Sequence, residues 1–143
     1  MKNLIILSVI FLFGIFSVSA QNAWEVFVEW ETTGDCQFED EPGNGFRVAI
    51  TVYDVANDMV VVNNDVMDVS ETTFSHTFDV QTEVQYHCNL TGIEIPDFIV
   101  YAAVYMGNSG SLEPICMTKS TNTGYDCQDF STYGIQIPLL SFD

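Results

Sequence analysis

The side chains best suited to chemistry in this sequence are carboxylates. Glu39-Asp40-Glu41, with Asp35 just ahead, form the densest acidic cluster. Early strands running up and down would bring Asn63-Asn64-Asp65 and Asp68 to the same end. Oxygen ligands from two loops at one end of a fold are what a Ca²⁺ ion requires. Asp35, Glu39, Asp40, Glu41 and Asp65 are therefore the candidate Ca²⁺ ligands, although their spacing follows no EF-hand pattern. The competing reading is an acidic loop that is simply solvated.

Nucleophilic chemistry finds less support. Gly107-Asn108-Ser109-Gly110 resembles the Gly-Asp-Ser-Gly of trypsin-like serine proteases, but the chain is too short for that double-barrel fold. The two histidines, His76 and His87, sit in β-patterned stretches with no nucleophile motif around them. The tetrapeptide reads as a turn, and His76 packs beside Phe74 and Phe78 or faces solvent. No HExxH and no phosphate-cradling glycine loop occurs in the sequence. With twenty acids, carboxylate pairs of the kind that hydrolyse glycosides are always on offer. Trp24, Trp30 and Tyr133 are candidates for a sugar-stacking platform, but alternation puts both tryptophans on the apolar side, which favours the core. Asn89-Leu90-Thr91 is an N-glycosylation acceptor if the source is eukaryotic.

The ends and the charge set the compartment and narrow the partners. Met1-Lys2-Asn3, the apolar run Leu4–Val18 and the small residues of Val18-Ser19-Ala20 read as a cleaved secretory signal peptide over residues 1–20. Residues 21–143 are then a single exported domain, extracellular or, in a bacterium, periplasmic. That domain keeps two basic side chains, Arg47 and Lys119, against twenty acids, a net charge of about −18. Nucleic acid and anionic membrane surfaces both call for Lys/Arg clusters, which are missing from the sequence. A basic partner, Ca²⁺ or a salty medium suits this balance.

Placing these residues falls to strands. Asp97–Met106 is apolar on both faces and bounded by Pro96 and the Gly107–Gly110 turn. It reads as the central strand of a packed sheet. Phe98, Val100 and Val104 lie on one side, and Ile99, Tyr101 and Tyr105 on the other. If either set is exposed together, it is the first choice for an interaction surface. Trp24–Glu31 and Phe46–Asp54 alternate as half-buried strands. Met59–Asn63 returns after a hairpin at Val55–Asp58, and Asn63-Asn64-Asp65 reads as a turn. Thr72–Val80, Glu83–Leu90, Glu113–Thr118, Tyr125–Phe130 and Tyr133–Leu140 complete the set. Lys119–Gly124 reads as a hairpin tip, and Pro138 puts its strand end at a sheet edge. Seven to nine short strands predict an antiparallel β-sandwich, immunoglobulin-like or similar, with a β-barrel as the alternative.

Four cysteines, Cys36, Cys88, Cys116 and Cys127, in an exported chain predict disulfides. The ten residues between Cys116 and Cys127 would span the expected hairpin, leaving Cys36 to Cys88. Tyr86-x-Cys88 resembles the tyrosine corner ahead of the second cysteine in immunoglobulin domains. That resemblance covers three residues and supports a sandwich rather than a family.

The sequence thus reads as a non-catalytic extracellular module that presents its acidic loops, Asp35–Gly45 and Asn63–Asp68, to a protein or glycan partner, with Ca²⁺ as a candidate aid. A small carbohydrate-active enzyme with a carboxylate pair, or a secreted inhibitor or effector, are the alternatives. A Ca²⁺ site predicts binding heat on calorimetric titration and a melting temperature raised above that in matched ionic strength. A solvated loop gives neither.

Overall fold

A computed structural model describes residues 22–32, 44–70, 73–108 and 116–142. The expected signal peptide and the cluster Asp35, Glu39, Asp40 and Glu41 lie outside these residues, as does Cys36. The described chain is mostly strand, in two sheets stacked as a sandwich that does not close into a barrel.

The larger core ladder comes straight from alternation. β2 (Asn44–Asp54) and β5 (Phe98–Asn108) pair antiparallel, with Phe46 opposite Met106, Val48 opposite Val104, Ile50 opposite Ala102 and Val52 opposite Val100. All eight side chains are buried. Each large one stabilises the fold by about 1.5–3 kcal/mol through removal from water. β3 (Met59–Ser70) and β6 (Cys116–Tyr125) flank this pair, giving an antiparallel sheet in the order β3-β2-β5-β6. The stretch from residue 97 to 106 is central, as expected, and the strand runs on through Gly107 and Asn108.

The second sheet is built on β1 (Glu25–Thr32). β4 (Ser75–Asp79) pairs with it antiparallel on one side. On the other, the short strands β7 (Ile135–Gln136) and β8 (Leu140–Phe142) run parallel to it in succession. Pro138 sits at the break between them, where its missing N–H costs no ladder bond. Val26, Val28 and Trp30 point inward and are buried. Trp30 meets Phe46 edge-on at 5.2 Å, and Phe142 closes the same end of the core. Trp30 is therefore core. Trp24 is half-buried against the core just before β1, and Tyr133 is exposed.

Several expected elements differ. Glu83–Leu90 is not a strand: α1 spans Gln81–Cys88. Val84, Tyr86, Cys88 and Leu90 alternate like a strand, but Val80, Val84 and His87 also recur at helical spacing, and these three are the buried ones. Tyr86 is 70% exposed, so it forms no tyrosine corner. Lys119–Gly124 is no hairpin tip but the body of β6, whose threonines suit an edge strand wet on one face. Tyr125 ends that strand, and α2 (Cys127–Thr132) follows. Asp126 caps α2, accepting from the backbone N–H groups of Gln128 and Asp129 while the Asp129 side chain accepts from the Asp126 N–H. Asn63-Asn64-Asp65 is not a turn; it lies within β3.

The cysteine pairing is corrected as well. Cys88 at the end of α1 bonds Cys127 at the start of α2, with Cα atoms 6.0 Å apart. This excludes both Cys116–Cys127 and Cys36–Cys88. The expected hairpin does not exist, so nothing brings Cys116 back onto Cys127. Cys116 is itself disulfide-bonded. Disulfides are compatible with an oxidising environment. No helix among the described residues is long and apolar enough to cross a membrane.

The Cys88–Cys127 bond closes a loop of 39 residues, which corresponds to about 4 kcal/mol of lost chain entropy in the unfolded state. Replacing both cysteines by serine should lower unfolding stability by about that amount in urea titrations. A loss under roughly 1 kcal/mol would show that the bond adds little to the packing of α1 on α2.

Candidate functional site

Two places hold the polar chemistry of the described chain. The first is internal. β2 ends at Asp54, whose side chain faces the core and is fully buried. A lone carboxylate there would be very costly. Instead it accepts five hydrogen bonds. His87 Nε2 lies 2.7 Å from Oδ2, and Asn57 Nδ2 donates to the same oxygen at 2.7 Å. The backbone N–H groups of Ala56, Asn57 and Asp97 donate to Oδ1. Asn57 in turn exchanges hydrogen bonds with the Glu94 backbone. One carboxylate thus ties together the β2–β3 turn, α1 and the segment leading into β5. His87 also packs on Phe98, which meets Phe130 of α2 edge-on.

Burial pushes the Asp54 pKa up, but the hydrogen bonds from His87, Asn57 and Asp97 outweigh it, and the net shift is downward from 3.8. All five donors favour the ionised form. Both side chains are 95% or more buried, and their hydrogen bonds join separate elements of the fold.

The second place is the outer face of the β3-β2-β5-β6 sheet. Register sets its rows. Arg47, Tyr105 and Met117 stand side by side, then Asp65, Ala49, Ala103 and Lys119, then Asn63, Thr51, Tyr101 and Thr121, then Val60, Tyr53, Ile99 and Thr123. Four strands and six residue steps make a surface of roughly 14 by 20 Å. Tyr101 is 42% exposed, and Ile99, Tyr53 and Tyr105 are half-buried. Arg47 forks onto both oxygens of Asp65 and lies 5.8 Å from the centre of the Tyr105 ring. Thr51 donates to Asn63 at 3.2 Å, and the Tyr53 hydroxyl donates to Asp58.

The outer face of the other sheet is different in kind. Glu25, Phe27, Glu29 and Glu31 alternate outward on β1, with Asp79 opposite Glu25. Both cations of residues 21–143 therefore lie on one face, and the opposite face is acidic.

Of the expected Ca²⁺ ligands, Asp65 alone is described. It stands in mid-strand on the sheet face with its carboxylate on Arg47, not in a loop at the end of the sandwich. Among the described residues no three His, Cys, Asp or Glu side chains come together as a metal site. Asn89 caps the C-terminus of α1, exposed, with Nδ2 donating to the Gln85 carbonyl. His76 packs edge-on against Phe78 at 4.6 Å, and burial lowers its pKa.

The chain matches no family model, no curated protein and no solved structure. Function must be argued from the two sites themselves. Sequence reasoning named Ile99, Tyr101 and Tyr105 as one possible surface, but it missed the Asp54–His87 pair. His87 falls in a stretch that reads as a strand, and Asp54 reads only as the last residue of the strand Phe46–Asp54. The available signal was the inward phase of Phe46, Val48, Ile50 and Val52, which carries on to Asp54.

A carboxylate whose pKa falls on folding stabilises the fold fully above its ordinary value, and that stabilisation is lost as pH drops through the folded value. The protein should therefore lose stability below about pH 4. Asp54→Asn should cost roughly 3 kcal/mol at pH 7 and flatten the acid limb of the stability–pH curve. An acid limb of unchanged slope would show that other carboxylates set it.

Proposed function

We propose that this protein is an exported, non-catalytic binding module, and that its recognition surface is the outer face of the β3-β2-β5-β6 sheet. Residues 1–20 are then its signal peptide, and its partner is an extracellular protein or glycan. One observation carries the reading. In a chain with twenty acids, the exposed Tyr101, the half-buried Tyr105 and both mature cations gather on a single sheet face. Disulfide bonding suits export. The acidic stretch Asp35–Gly45 remains a candidate second contact, with Ca²⁺ as its proposed ion.

The test uses capture of partners from the native extracellular medium. Thr121→Arg beside Tyr101 should abolish capture, and Glu29→Arg on the opposite face should leave it intact. Both are exposed strand positions, where substitution shifts stability by about 0.5 kcal/mol or less. Capture that survives Thr121→Arg and fails with Glu29→Arg would place recognition on the acidic face instead.

A further inference from the structure

We infer that the ligand of this sheet face is an uncharged polysaccharide, stacked on the exposed Tyr101 and reaching along β5 to the half-buried Tyr105, whose ring carries Arg47. The inference rests on the binding reading above and adds the chemistry of the partner.

Charge removes most other ligands. At about −18, the mature chain repels any polyanion over a Debye length of roughly 8 Å at physiological salt. The face itself offers no strong counter-field. Arg47 is taken by Asp65, which leaves Lys119 as the remaining cation on the surface. A cationic partner would be drawn to the other sheet, where Glu25, Glu29, Glu31 and Asp79 face outward. The tyrosine face is thus the near-neutral surface of a strongly charged molecule, and a neutral ligand fits it without an electrostatic cost.

Shape and chemistry agree. Tyr101 and Tyr105 project from the same side of β5, about 13 Å apart along the strand. That separation suits an extended chain that meets both rings, not a single small ring. Between them lie Ala49 and Ala103, which leave the surface low. Around them stand Thr51, Asn63, Lys119, Thr121 and Thr123, whose side chains carry donors and acceptors for sugar hydroxyls. Tyrosine provides an apolar ring face and a polar tip, which matches the apolar and hydroxyl-bearing sides of a pyranose.

The experiment is binding of the mature domain to neutral insoluble and soluble polysaccharides of β-linked and α-linked glucose, mannose and N-acetylglucosamine, with uronic-acid polymers alongside. The expected result is binding to at least one neutral polymer that changes less than about twofold between 50 mM and 1 M salt. Tyr101→Ala with Tyr105→Ala should weaken it at least roughly tenfold. Tyr86→Ala and Tyr133→Ala, which remove exposed rings elsewhere, should not weaken it. On the unmutated protein, the polymer should shield Tyr101 and Tyr105 from nitration, which keeps the test open if the double variant folds poorly. Binding confined to uronic polymers and lost in salt, binding indifferent to the two tyrosines, or no binding to any neutral polymer overturns the inference. In the last case, capture sensitive to Thr121→Arg would still leave the binding face standing with a protein partner.

Discussion

Eleven residue pairs join β2 to β5, from Asn44–Asn108 to Asp54–Phe98, and each inward pair from Phe46–Met106 onward is buried. This ladder has to carry the fold because charge cannot. Two basic side chains among twenty acids leave little room for ion pairs. The exposed Arg47–Asp65 pair contributes at most about 1 kcal/mol. Apolar burial and sheet hydrogen bonds remain, and the flanking strands β3 and β6 are positioned by the central pair. Where the inward run ends, at Asp54, the apolar ladder gives way to a buried carboxylate. Its hydrogen bonds anchor the β2–β3 turn, α1 and the approach to β5, and the neighbouring Cys88–Cys127 bond fastens α1 to α2.

The same ladder produces the surface proposed for binding. With Val100, Ala102 and Val104 turned inward, Ile99, Tyr101, Ala103 and Tyr105 must turn outward. A strand that is apolar on both faces needs cover on both. The second sheet covers one face. Among the described residues no element packs over the other, whose rings are set among threonines and a forked ion pair. The acidic outer face of the β1 sheet has no such apolar content apart from Phe27, and it reads as a solvated surface.

Period-two alternation made β1 and β2 legible, the unbroken apolar run between Pro96 and Gly107 did the same for β5, and Pro138 marked the broken edge where β7 and β8 meet. The outward set of β5 was one of two that the sequence offered; only the stacking of the β1 sheet chose between them. Other features depended on long-range contacts. Val80, Val84 and His87 fit a helix while Val84, Tyr86 and Cys88 fit a strand, and burial against the rest of the core decided for the helix. Lys119–Gly124 has turn-like composition, but pairing with β5 draws it into an edge strand. Once that hairpin was gone, the Cys127 pairing drawn from it fell too. Tyr125–Phe130 reads as a strand, and the reciprocal cap of Asp126 and Asp129 makes most of it helix instead. That Arg47 and Lys119 share a face depends on strand register, which no local pattern in the sequence reports.

The most direct test of the account is to map backbone amide shifts by NMR as the mature domain is titrated with the ligand it captures. The account predicts that shifts concentrate in residues 47–53, 99–105 and 117–123, on three adjacent strands, and leave β1 and β4 unmoved. Shifts centred on Glu25, Glu29, Glu31 and Asp79, with the tyrosine face silent, would contradict it.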